Sequence, residues 1–177
     1  MKKLSHVTLL LAAVLALAFP ALAQQQTQSE GQGNQDKLVQ IVRSATARYV
    51  DDVNAATAAG YSPVLGCVSG SDHGAMGVHY VNSSLVNGPI DATQPQALIY
   101  EPSATGQYKL VGVEFIILAS ALPANAAPEV EGHLMVYVDS PNRYGLPAFY
   151  ELHVWAWREN PQGPFVDWNN HVTCANH

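Results

Sequence analysis

The residues of this 177-residue chain best equipped for chemistry are its histidines and one carboxylate. His73 and His79 stand six apart in CVSGSDHGAMGVHYVN (67–82), a glycine-rich stretch that begins at a cysteine and runs into an extended segment. Gly74 and Gly77 permit a tight backbone that would bring both imidazoles to one point. Glu114 sits mid-way along the apolar run YKLVGVEFIIL (108–118), where a carboxylate is costly to bury without a partner. His153 lies in FYELHVWAW (149–157) and, by strand alternation, shares a face with Glu151, Trp155 and Trp157. His73, His79, Glu114 and His153 thus make a three-imidazole, one-carboxylate ligand set for a mononuclear centre, with Trp155 and Trp157 as a pocket wall. Such donors suit copper or zinc first and iron or manganese next, without choosing strongly among them. Met76, between the two histidines, offers copper a soft axial ligand, although a lone methionine is more commonly packing.

The ordinary reading stands beside this one. A single histidine is more often a hydrogen-bonded structural residue than a ligand, and H-x5-H lacks the specificity of H-E-x-x-H. His133, at a strand start beside Gly132, and His171 and His177, in the tail, are weaker candidates.

The elements that must position these groups are legible in outline. Behind a helix N-cap at Asp36, apolar residues recur at helical spacing from Leu38 through Ile41, Val42, Ala45, Tyr49 and Val53 to Ala56, and Gly60 and Pro63 end the pattern. Strands are expected over 78–81, 97–101, 108–118, 134–138 and 149–157. The second and third form a hairpin, and the fourth and fifth pair through the Pro- and Gly-containing loop 139–148. On 108–118, alternation places Val111, Val113, Phe115 and Ile117 on one face and Gly112, Glu114, Ile116 and Leu118 on the other. The expected class is α+β: one N-terminal amphipathic helix packed on a mainly antiparallel sheet or small barrel.

Composition narrows the function. Residues 1–23 read as a signal peptide: Lys2 and Lys3, an apolar run from Val7 to Phe19, and Ala21-Leu22-Ala23 before the cut. The run is shorter than the ~20 residues that span a bilayer, so a membrane anchor is not expected. Residues 24–36 are a polar Gln/Gly-rich flexible segment, and 37–177 is a single domain. The formal charge of −6 becomes −8 once Lys2 and Lys3 leave, and the sparse basic residues argue against nucleic-acid binding. Cys67 and Cys174, the only cysteines, read as a disulfide in an exported protein, tying the tail to the His73/His79 region.

Other catalytic schemes are weaker. There is no G-x-S-x-G elbow, Walker sequence or dinucleotide fingerprint. Glu114 and Glu151 could be a glycosidase carboxyl pair only at the right separation.

HGAMGVHYVN (73–82), LIYEP (98–102), LVGVEFI (110–116) and LHVWAWRENPQGPFVDWNN (152–170) with the following Cys174 resemble a family of uncharacterised secreted bacterial proteins. The resemblance covers about Tyr49 to Cys174 and implies one secreted domain, with no activity to carry over. The chain departs from the family pattern at Asn170, where proline is typical, and at His133. The reading of the residues is therefore a secreted or periplasmic metal-binding protein that binds a metal ion and has room for a small molecule. The alternative is a metal-free module of the cell envelope binding a small ligand or partner, with Tyr80, Tyr100, Trp155, Trp157 and Trp168 lining its cleft. A plain structural envelope protein would have neither converging histidines nor a pocket.

Overall fold

A computed structural model describes residues 37–177. The expected signal peptide, polar segment and Asp36 cap all fall outside these residues. The molecule is built on a six-stranded, wholly antiparallel sheet. Its strands are β1 (Ser62–Ser69), β2 (Ala75–Val81), β3 (Ala97–Pro102), β4 (Tyr108–Leu118), β7 (Val136–Val138) and β8 (Phe149–Val154), in the order β1-β2-β3-β4-β8-β7. A two-stranded ladder, β5 (Glu129–Val130) with β6 (His133–Leu134), stands apart. The hairpin expected over 97–118 is β3–β4, and the pair expected over 134–157 is β7–β8.

The helical stripe is not continuous. Residues 37–46 form α1, Ala47–Tyr49 a 3-10 turn, and Val53–Ala58 a separate α2. The break falls at Asp51-Asp52, where the Asp52 side chain accepts a hydrogen bond from Ala55 N and so starts a second helix. The Val50 carbonyl meanwhile accepts from Leu110 N at 2.9 Å, bonding the break to β4.

β2, β3, β4 and β8 are buried along nearly their whole length, so both sheet faces are covered. On one face Leu38, Val42, Tyr49 and Ala56 pack on Tyr80, Leu98, Tyr100, Val113 and Phe115, and the Tyr100 hydroxyl donates to Tyr49 O. The opposite face carries a smaller apolar cluster of Ala75, Ile99, Val111, Trp155 and Val172. Val111 belongs to this second face because the register slips between Ile99 and Tyr100: Ile99 pairs with Gly112 but Tyr100 with Leu110. The bulge gives Leu110 to the helix face and Val111 to the other, against strict alternation. Cys67 and Cys174 are disulfide-bonded across 107 residues and anchor the tail on β1. Among the described residues no helix is long and apolar enough to cross a membrane.

Candidate metal centre

The second sheet face is where the polar groups meet. Glu114 on β4 is the direct cross-strand partner of His153 on β8, and Ile116 is the partner of Glu151. Cross-strand partners on one face have Cβ atoms about 5 Å apart, so Glu114 and His153 meet without any loop. His79 arrives from β2, two strands from β4. Between them, β3 sets Ile99 against His79 and the small Ala97 against Glu114, so His79 and Glu114 meet on a diagonal of this face. His79 Nε2 lies 3.4 Å from Glu114 Oε2, and the His79 and His153 rings meet edge to face with centroids 5.8 Å apart. One donor atom each from His79, Glu114 and His153 falls within 4.8 Å of the others.

A second group overlaps the first through His153: donor atoms of Glu151, His153 and Asp167 also lie within 4.8 Å of one another. Asp167 Oδ1 approaches His153 Nδ1 to 3.7 Å. Asp167 comes from the irregular segment after β8, which is pinned to this face by Trp155. The Trp155 indole donates to Val166 O at 2.6 Å and its backbone N–H to Pro164 O. Ala75 and Asn169 exchange both backbone hydrogen bonds and secure the far end. Gly74 is required here: a Cβ would stand 2.1 Å from Asn169 O, and its φ is +78°.

The electrostatics of these groups are those of a desolvated site. Burial pulls His79 down to about 4, with the Gly77 carbonyl acting the other way but not in hydrogen-bonding geometry to Nδ1. Burial, and then His79, hold His153 well below the ordinary histidine range. Burial and the neighbouring Glu151 carry Glu114 well above the usual carboxylate range, and burial raises Glu151 and Asp167 as well. Without a cation the site therefore holds neutral imidazoles and a carboxyl pair, Glu114 and Glu151, sharing a proton. Both ring nitrogens of His153 and Nδ1 of His79 are buried without a hydrogen-bond partner in the protein. An orphaned buried polar atom costs about 1–3 kcal/mol, so three in one place call for a partner.

Other sequence candidates lie elsewhere. His73 is exposed on the turn before β2 and joins neither group. The backbone around Gly74 is spent on the contact with Asn169, not on folding His73 back toward His79. Met76 takes the Tyr144 hydroxyl on its sulfur at 3.6 Å. Trp155 does stand beside His153, with ring centroids 6.2 Å apart. Trp157 does not. β8 ends at Val154, alternation lapses, and Trp157 turns to the helix face to donate to Thr46 Oγ1. Tyr80 and Tyr100 are core residues of that same face, so the five aromatics do not line one cleft. His133 stacks on Phe165 at 4.2 Å, while His171 and His177 are exposed. Glu114 and Glu151 stand on the same face and both line one cavity.

Beside the group opens a cavity of about 50 Å3. His79, Glu114, Glu151 and Tyr144 supply its polar lining, and Val64, Val68, Ile116, Leu146 and Phe149 are among its apolar walls. Tyr144 is carried by the loop between β7 and β8, which Asn142 clamps. The Asn142 amide donates to Asp139 O and Leu146 O, and its oxygen accepts from Tyr144 N and Leu146 N. Burial, then Glu151 and Glu114, push the Tyr144 hydroxyl up to about 12. Sequence reasoning placed Glu151 on the right face but did not count it, Asp167 or Tyr144 as site residues. The latter two stand on irregular segments that carry no periodic signal.

No family model, no curated protein and no solved structure matches the chain.

Proposed function

We propose that this is an extracytoplasmic metal-binding protein whose mononuclear centre is held by His79, Glu114 and His153. The observation that carries the reading is His153, which is 1% exposed with neither ring nitrogen hydrogen-bonded, beside His79, whose Nδ1 is also without a partner, and a buried carboxyl group. A divalent cation would take one lone pair from each imidazole and one from the carboxylate. It also offsets the charge: with Glu114 and Glu151 both ionised, a doubly positive ion makes the buried centre neutral. Asp167, 3.7 Å from His153 Nδ1, is the carboxylate placed to take that N–H if the ring ligates through Nε2, the usual carboxylate–histidine–metal arrangement. Two imidazoles and one or two carboxylates favour zinc, copper, iron or manganese over calcium or magnesium, with copper and zinc the first choices. An export route fits the apolar leader pattern of residues 1–23 and the Cys67–Cys174 bond.

If the ion keeps an open position toward the cavity, it would polarise a bound water or a substrate oxygen there. His79→Ala and His153→Ala test the assignment. Each variant is expected to fold, by circular dichroism, and to retain less than about a tenth of the wild-type metal, in line with the loss of a direct ligand. Unchanged metal content in both folded variants would remove the reading.

A further inference from the structure

We propose that the cavity beside His79, Glu114 and Glu151 is a substrate pocket for a small, uncharged, mostly apolar molecule with one ligating oxygen, a phenol being the simplest. This inference rests on the metal-centre reading, since the oxygen's partner is the ion. Three features of the cavity select the class.

The first is its polarity. The polar groups, His79, Glu114, Glu151 and Tyr144, belong to the candidate centre or stand against it, while the remaining walls are aliphatic or aromatic. A ligand that fills it must be polar at one end and apolar along its body. The second is charge. No lining residue is cationic, and two carboxylates stand at the polar end. Arg143, next to Tyr144, does not line the cavity: it donates to Ser69 O, with its guanidinium 5.3 Å from the Trp168 ring and 5.9 Å from the Tyr144 ring. Once the ion has cancelled those two charges, no lining cation remains to hold a small anion, whereas Tyr144, whose own proton goes to the Met76 sulfur, can accept from a neutral hydroxyl. The third is size. A volume of about 50 Å3, open on one side, is well below the ~150 Å3 of a cavity that holds benzene completely. A ring would enter oxygen first and leave its far edge at the mouth. That mouth is apolar: Val64, Leu65 and Leu146, three of the six large hydrophobic side chains exposed among the described residues, line this one pocket.

Cobalt(II) reports on both claims separately. Metal-free mature protein titrated with cobalt is expected to develop visible absorption bands from the bound ion. Absence of bands removes the metal reading and this inference with it. Given bands, phenol is then titrated into the cobalt protein, and a saturable shift at roughly millimolar concentration is expected. Bands that stay fixed while phenol rises well past this range overturn the pocket assignment and leave the metal centre standing. Acetate is the counter-probe: a shift with acetate and none with phenol would make this a small-anion site and overturn the proposal. Leu146→Trp, at the exposed rim, is expected to keep the cobalt bands and weaken phenol roughly tenfold or more by blocking the mouth. Val64→Trp, on the edge strand, serves the same purpose if Leu146→Trp does not fold. Unaltered phenol affinity in the folded rim variant would place phenol elsewhere and overturn the proposal.

Discussion

At the scale of single residues, the site is a balance between burial and ionisation. Glu114 ionises near 4.5 in the unfolded chain but well above that when folded, so above pH 4.5 the folded metal-free protein keeps a proton that the unfolded chain has lost. Stability falls with pH wherever the folded state binds more protons, so this group lowers metal-free stability toward neutral pH. Glu114→Gln keeps the shape and removes the ionisable group. We expect it to stabilise the metal-free protein at pH 7, by roughly 1–3 kcal/mol in denaturant titrations, while abolishing the stabilisation that added zinc gives the wild type. A variant less stable than wild type at pH 7 without metal would contradict this account of Glu114. The same shift predicts proton release. Metal must displace the proton shared by Glu114 and Glu151, whereas His79, already pulled down to about 4, holds none near neutrality. Zinc affinity should therefore rise with pH above 4.5, tracking the carboxyl groups and showing no separate step near 6.5. Calorimetry in buffers of different ionisation heat would measure the protons released. The strand faces of Glu114 and His153 were legible in the sequence because alternation along two strong strands fixes them. His73 misled because glycine spacing shows that a turn is permitted, not where it points.

Among the elements, the irregular segments decide what alternation cannot. The segment carrying Asp167 is held by Trp155 and by the Ala75–Asn169 bridge, which depends on the absence of a side chain at Gly74. Gly74→Ala would drive a methyl into Asn169 O at a φ of +78°. It should cost about 2–4 kcal/mol of stability and loosen the segment, readable as faster amide exchange at Asn169 and weaker zinc binding. Normal exchange protection there in a folded variant would show that the bridge does not hold the segment. The sequence revealed β4 over 108–118 as observed, and the hairpin with β3, because both carry long β-branched and aromatic runs between turn residues. β1 was not legible. It contains Pro63 and Gly66, most of it is exposed at the sheet edge, and Leu65 takes a φ of +64° within it. The helical pattern from Leu38 to Ala56 hid its own break, since Asp52 reads as well on a polar face as it does at an N-cap. Trp157 was assigned to the pocket for a related reason: alternation was carried three residues beyond the end of β8.

For the molecule as a whole, the sheet separates stability from chemistry. One face is closed by α1, the 3-10 turn and α2 over a large apolar core; the other holds the polar group under loops and tail. The Cys67–Cys174 bond fastens that covering to β1. Reducing it should cost roughly 4–5 kcal/mol for a loop of this length on chain-entropy grounds. It should also weaken metal retention, because the tail and the Asp167 segment lie on the site face. Zinc dissociation measured with and without reductant checks this, and equal rates would separate the tail from the site. That the chain folds as antiparallel sheet with short helices follows from its strand runs and turns. That two overlapping groups of donor atoms form on one face depends on register: Glu114 against His153, and on β3 Ile99 against His79 with Ala97 against Glu114. Register is set by pairing across distant stretches of chain and is not written in any one of them.

The most direct measurement is the metal content of mature protein purified from its native compartment without chelator or nickel resin, by elemental mass spectrometry. The account predicts close to one transition-metal ion per chain, copper or zinc foremost. A protein that carries none, and takes up none when zinc and copper are titrated into it, would contradict the central claim and leave His79, Glu114 and His153 as an unexplained buried polar group.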